Sequence, residues 1–189
     1  AQAILAQVCC PEGAPLPSAK RSLMEDANLY LNACGIPAGL PELSVRYGVA
    51  EIHGGKSQFS KLSGQFLQSR PEVSFDASLG RCTLVFLDPD APRRVGDGSV
   101  PGSFGPWLHW LVTGCEGGSI KGGKEHCEYM GPAPPAGNHR YILVLLQELG
   151  QVKISAGVDR PKWDFRAFLQ ANSGTLKPVA ANFFYCNSS

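Results

Sequence analysis

No apolar stretch of this chain reaches the roughly 18 residues a membrane-crossing helix needs. There is no basic run and no RNA-binding aromatic motif. The formal net charge is +1, too small for strong electrostatic attraction to nucleic acid. The chain has no GxSxG elbow, HExxH helix, P-loop or GxGxxG fingerprint, so hydrolase and nucleotide-binding classes find no local support. No CxxC pair exists, which argues against a zinc ribbon. Internal repeats, low-complexity tracts and linkers are also missing, so the 189 residues read as one domain with a real core. Charged residues are only 17% against 43% hydrophobic, the balance of a globular, lightly charged protein.

What is plentiful is glycine and proline, 22 and 15 residues, which implies many turns and argues against a helical bundle. Seven cysteines are widely spread: Cys9, Cys10, Cys34, Cys82, Cys115, Cys127 and Cys186. One reading is a cytosolic chain with scattered free thiols. The other, adopted as the expectation, is a secreted protein with two or three disulfides and at least one unpaired thiol. The start, Ala1-Gln2-Ala3-Ile4-Leu5-Ala6-Gln7, lacks the charged and apolar regions of a signal peptide and suits the N-terminus of a mature secreted chain. Asn187-Ser188-Ser189 is a glycosylation sequon.

A helix is expected from Ser18 to about Gly35, and a second over 162–171, with Pro161 near its first turn. Alternation over 43–53 is strand-like. Three stronger strands fall at about 81–88, 107–114 and 139–148, and residues 54–80 carry short strand pieces at most. Strands with a helix at each end give a mainly β, α+β domain.

Two rigid corners border the apolar strands. Asp88-Pro89-Asp90-Ala91-Pro92 closes the run Thr83–Leu87. Gly131-Pro132-Ala133-Pro134-Pro135-Ala136-Gly137 leads through Asn138-His139-Arg140-Tyr141 into Ile142–Leu146. Proline fixes φ and gives up its N–H, so such corners are stiff. Asp88 and Asp90 suit acid/base chemistry, a metal, an ammonium group or, more simply, turn formation. Period-two alternation puts His109 on one strand face with Trp107 and Leu111, and Leu108, Trp110 and Val112 on the other. An Asp oriented on His109 would fix its tautomer and present its other nitrogen to a ligand. His139 and Tyr141 share a face at a pocket rim, with Arg140 on the other face bracing a loop through carboxylates.

Those blocks, together with Leu108-His109-Trp110-Leu111-Val112 and the tail Lys177-Pro178-Val179-Ala180-Ala181-Asn182-Phe183, resemble the signature blocks of the phosphatidylethanolamine-binding protein family, which includes Raf kinase inhibitor protein and plant flowering regulators. The likeness runs over about residues 43–186. It implies a central antiparallel sheet, a smaller flanking sheet and peripheral helices. Residues 1–42 would be a cysteine-bearing arm and helix packed on this domain, 43–189. The resemblance also implies a small pocket for phosphate, phosphorylethanolamine or acetate, lined by Asp88, Ala91, Pro92, Trp107, His109, Gly131, Pro134, Pro135, His139 and Tyr141. Neither a cofactor nor a catalytic cycle is implied. Phe104 stands where many members have tyrosine, which removes a phosphate-contacting hydroxyl. The chain stops at Ser189, where some members continue into a helix over the pocket, so a more open pocket is expected.

The function expected is therefore non-enzymatic: a secreted binding protein for phosphate or a phosphorylated headgroup or phospholipid, acting on a protein partner. The alternative is an inhibitor of a protein kinase or serine protease that works through surface loops. A metal-dependent hydrolase using Asp88, Asp90, His109 and His139 is the remaining reading.

Overall fold

The computed structural model describes residues 23–189. Among the described residues nine strands form two sheets. The small sheet has the order β2-β1-β4, from Ala50–Glu51, Ser44–Tyr47 and Glu72–Ser74. The large one has the order β3-β9-β8-β5-β6-β7. Its strands are β3 Gln58–Ser60, β5 Cys82–Asp88, β6 Trp107–Cys115, β7 Lys124–Cys127, β8 Asn138–Glu148 and β9 Leu176–Asn187. All pairings are antiparallel except β3 on β9. Helices α1, Leu23–Ala33, and α2, Phe165–Ala171, and two short 3-10 turns, Gln65–Gln68 and Ala77–Leu79, complete the described elements. The expected architecture, a central sheet with a smaller sheet and peripheral helices, is the one observed.

The continuous apolar runs follow from burial on both faces. One face of the large sheet, with Leu84, Phe86, Trp110, Tyr141, Leu143 and Phe184, packs against Val45, Tyr47 and Val73 of the small sheet. The opposite face, with Val85, Leu87, Leu108, Leu111, Ile142 and Val144, packs under the two helices. Ala27, Tyr30 and Leu31 recur at helical spacing and form the buried stripe of α1. A strand covered on two sides loses its alternation, so period two vanishes in β5, where every residue is buried.

Several boundaries differ from the sequence expectation. The alternating stretch 43–53 is a hairpin rather than one strand, because Gly48 turns the chain with φ of 59° and Tyr47 pairs with Ala50. Helix α2 starts at Phe165, not 162. The Asp164 side chain caps it by accepting from the Ala167 N–H at 2.9 Å, and Lys162 sits at φ of 55°, outside helical space. The helix start expected at Ser18 lies outside the described residues. Strand β9, twelve residues long, is missing from the element reading. Pro178 sits at its β-bulge opposite Leu145–Leu146, the position where a strand tolerates proline.

The expected disulfides are not found among the described residues. Cys34, Cys82, Cys115, Cys127 and Cys186 are free thiols, while Cys9 and Cys10 lie outside the described residues. Four of the five are buried within strands, where they pack as small apolar side chains. Burial pushes the Cys82 and Cys186 thiols up to about 11 and Cys115 up to about 12, so they are protonated and poorly nucleophilic near neutral pH.

Candidate ligand pocket

The first corner is built by backbone. Asp88 ends β5, and its Oδ1 accepts the Asp90 N–H at 2.8 Å, closing the turn across Pro89. The segment 99–106 lies flat on this turn: Gly102 N–H donates to the Pro89 carbonyl at 2.8 Å and Phe104 N–H to the Ala91 carbonyl at 3.1 Å. Only glycine permits that approach, since a Cβ at Gly102 would stand 2.3 Å from the Ala91 oxygen. This seating brings the exposed ring of Phe104 to the pocket mouth.

Arg140 couples the two corners. Fully buried, it donates from Nε to Asp90 Oδ2 at 2.9 Å and from Nη2 to Asp90 Oδ1 at 2.6 Å, while its backbone N–H donates to the same carboxylate at 2.8 Å. Its remaining donors reach the carbonyls of Gly98 at 2.8 Å and Asp26 at 2.7 Å, which adds α1 to the brace. Asp26 in turn accepts from Arg94 Nη1 at 2.7 Å and Tyr185 OH at 2.5 Å. Burial disfavours the Asp26 charge, but Arg94 and Tyr185 outweigh it, and its carboxyl is held below the usual range. This is the loop-bracing role that the sequence suggests for Arg140.

Asp88 is oriented on His139 rather than on His109. Its Oδ2 lies 2.7 Å from His139 Nδ1, and His139 Nε2 donates to the Ala136 carbonyl at 3.0 Å. Burial raises the Asp88 carboxyl. Burial pulls His139 down, yet Asp88 and the Ala136 carbonyl prevail and its basicity is raised. Both shifts favour the protonated form, so the pair retains its proton and is net neutral.

His109 takes its place through a β-bulge. Phe86 pairs with Trp110 but Leu87 pairs with Leu108, leaving His109 as the extra residue. The bulge breaks the period-two reading. His109 meets Phe86 and Tyr141 at ring separations of 5.2 Å each, on the same sheet face as Trp110 and Val112, while Leu108 and Leu111 face the helices. The Met130 carbonyl lies 2.7 Å from Nδ1 and can only accept, so Nδ1 carries the hydrogen. Burial pulls this imidazole down to about 4, and it is neutral at physiological pH. Its Nε2 is thus a lone-pair acceptor, with no partner among the described residues.

A cavity of about 210 Å³ opens where the corners meet β6. Seven of the expected residues line it: Asp88, Ala91, Pro92, Trp107, His109, Pro135 and Tyr141. Phe104, Met130 and Ala133 complete the wall. Gly131, Pro134 and His139 lie outside the lining. Gly131 packs against Gln68, where a Cβ would meet Oε1 at 2.4 Å, and His139 sits fully buried with both ring nitrogens engaged. No sequence signal marks Met130, because it acts through its carbonyl. Trp107 Nε1 is a donor shielded from solvent, without a hydrogen-bond partner among the described residues. No three His, Cys, Asp or Glu side chains converge as a metal site among the described residues, so the hydrolase reading lacks its ligand set.

Comparison with known proteins agrees with this architecture. The sequence model described as phosphatidylethanolamine-binding protein matches residues 42–184. Protein TWIN SISTER of FT from Arabidopsis thaliana is 34% identical over 151 residues, covering 78% of this chain and 80% of that one. The carboxypeptidase Y inhibitor, solved in complex with its cognate proteinase, is similar in fold with a TM-score of 0.67 at 24% identity, over 90% of this chain and 98% of that one. A phosphatidylethanolamine-binding protein from Plasmodium vivax gives a TM-score of 0.64 at 16% identity, over 89% and 98%. With the family model matched over residues 42–184 and a relative 34% identical over 78% of its length, this chain belongs to the phosphatidylethanolamine-binding protein family.

Proposed function

We propose that this protein is a non-enzymatic binding module that holds a small oxyacid group, of the phosphate or phosphorylated-headgroup type, in the cavity between the two corners, and acts on a protein partner. The observation that carries the reading is a small cavity in a rigid apolar frame, lined by His109, whose Nδ1 is spent on the Met130 carbonyl and whose Nε2 has no partner among the described residues. A preformed concave site with few polar groups is what ligand recognition needs. The neighbouring carboxyls are poorly placed for acid/base turnover, since both Asp88 and Asp90 are committed to internal partners. Action on a partner draws support from the shared fold of the carboxypeptidase Y inhibitor, which was captured with a proteinase.

Thermal unfolding with O-phosphorylethanolamine or inorganic phosphate tests the reading. A ligand that binds only the folded state raises the melting temperature with concentration. A rise that saturates in the millimolar range supports the site. An unchanged melting temperature up to tens of millimolar, at pH 5 as well as pH 7, contradicts it.

A further inference from the structure

A second cavity, of about 520 Å³, opens at the opposite end of the same strands. The corner pocket gathers the end of β5 with the starts of β6 and β8. This one gathers Arg81 before β5, Thr113 near the end of β6, Lys124 and His126 of β7, and Glu148 at the end of β8. Leu149, Val152 and Ile154, from the segment that leaves β8, give it an apolar side. Glu148 is nearly fully buried and its carboxylate is spent. Oε1 accepts from the Thr83 hydroxyl at 2.8 Å and the Gly114 N–H at 2.7 Å, and Oε2 lies 3.4 Å from Arg81 Nε. Arg81 is thus matched within the wall, and Glu116 adds a second partner from outside it. Lys124 has no ion pair among the described residues and is the cation left over. Thr113 Oγ1 and His126 Nε2 lie 2.9 Å apart, and either can donate to the other. Burial and the neighbouring Lys124 hold the His126 imidazole below its ordinary range, so it is neutral at pH 7.5.

We infer that this far-end cavity is a second ligand site, for a small organic monocarboxylate, with the carboxylate beside Lys124 and a short apolar chain on Leu149, Val152 and Ile154. The volume is that of a small-molecule site, and an apolar side facing a few polar groups is the usual make-up of one. The single unmatched positive charge sets the ligand charge. A monoanion answers it, whereas a second negative charge would meet no free cation on the wall. An ammonium of the same chain length meets a charge of its own sign, and an alcohol gains the apolar contact alone. No residue lines both this cavity and the corner pocket, so the two sites stand or fall separately.

Amide chemical-shift mapping of the wild-type chain at pH 7.5 with hexanoate, butyrate, 1-hexanol and hexylamine tests the site. Hexanoate, fully ionised at this pH, is expected to move the amides of Thr113, Lys124, His126 and residues 149–152 in a saturable manner. Butyrate is expected to bind about tenfold more weakly, since two methylenes are missing from the apolar contact. Hexanol binds more weakly than hexanoate, and hexylamine gives no saturable change at these amides. Lys124→Gln is expected to weaken hexanoate about 3- to 5-fold, the size of an exposed ion pair, and to leave hexanol unchanged. Lys124→Arg keeps the charge and retains the affinity. In both variants the Trp107 and His109 amides stay at their wild-type positions, which reports an intact fold. Hexanoate and hexylamine that bind alike, or a hexanoate affinity untouched by Lys124→Gln, overturn the inference. So does the lack of any saturable change at these amides up to tens of millimolar. Hexanoate shifts confined to Trp107 and His109 also overturn the second site and leave the corner pocket standing.

Discussion

Asp88 Oδ2 and His139 Nδ1 stand 2.7 Å apart and fully out of solvent, holding one proton between a strand end and the opposite corner. Because the Ala136 carbonyl requires a hydrogen on His139 Nε2, the bridge contains its proton whether it is written as an ion pair or as a neutral acid and imidazole. Asparagine at position 88 reproduces the second form, with its amide N–H facing Nδ1. Asp88→Asn is therefore expected to cost less than about 1.5 kcal/mol, whereas His139→Leu strands a buried carboxyl and costs about 3 kcal/mol or more. Urea denaturation of both variants at pH 7 checks this, and equal losses contradict the shared-proton account.

The Arg140–Asp90 pair makes a sharper claim on stability. Removing the guanidinium with Arg140→Met leaves the Asp90 carboxylate buried and unpaired, at an expected loss of about 3–5 kcal/mol. The double variant Asp90→Asn with Arg140→Met removes both charges and is expected to recover part of that loss. A double variant as unstable as the sum of its singles means the two side chains act independently.

His109 sets an acid limit. Its folded pKa of about 4 lies below the unfolded value of about 6.5, so the folded state disfavours its protonation. Its contribution to stability is complete above pH 6.5 and is lost as the pH falls from 6.5 to 4, by on the order of 3 kcal/mol. His109→Asn keeps a donor toward the Met130 carbonyl but does not titrate. Between pH 6.5 and 4 the variant is expected to lose less stability than the wild type. Parallel stability–pH curves for the two proteins contradict the buried neutral imidazole.

Gly102 tests how tightly the 99–106 segment is seated. A methyl group there must displace the Ala91 carbonyl, so Gly102→Ala is expected to cost about 2 kcal/mol or more and to weaken ligand binding. Gly150→Ala, whose nearest new contact is 3.7 Å away, serves as the near-neutral control. Equal melting temperatures for the two variants contradict the close-packed corner.

The frame of this molecule was legible where chemistry is local. The runs 83–87 and 142–146 announce strands because apolar residues of that length need cover on both faces, and the proline corners mark their ends. Arg140 bracing a carboxylate follows from its alternation with His139 and Tyr141. What stayed hidden depends on long-range register. The bulge that turns His109 and Trp110 to the same face arises only from pairing with Phe86 and Leu87, and the partner of Asp88 is chosen by how β8 lies against β5. Strand β9 escaped the element reading because its proline falls at a bulge, and Met130 contributes a carbonyl, which every residue has. The thiols show the same limit: seven cysteines in a chain read as secreted suggested bridges, while the fold buries Cys82, Cys115, Cys127 and Cys186 as core residues.

The indole N–H resonance of Trp107 reports most directly on the central claim, since this side chain lines the cavity and its N–H is shielded from solvent. Only three tryptophans are present, and Trp107→Phe assigns the signal. Titrating O-phosphorylethanolamine at pH 5.5 is predicted to move the Trp107 resonance in a saturable manner, with much smaller changes at Trp110 and Trp163, which do not line the cavity. A Trp107 signal that stays fixed up to tens of millimolar ligand contradicts the account.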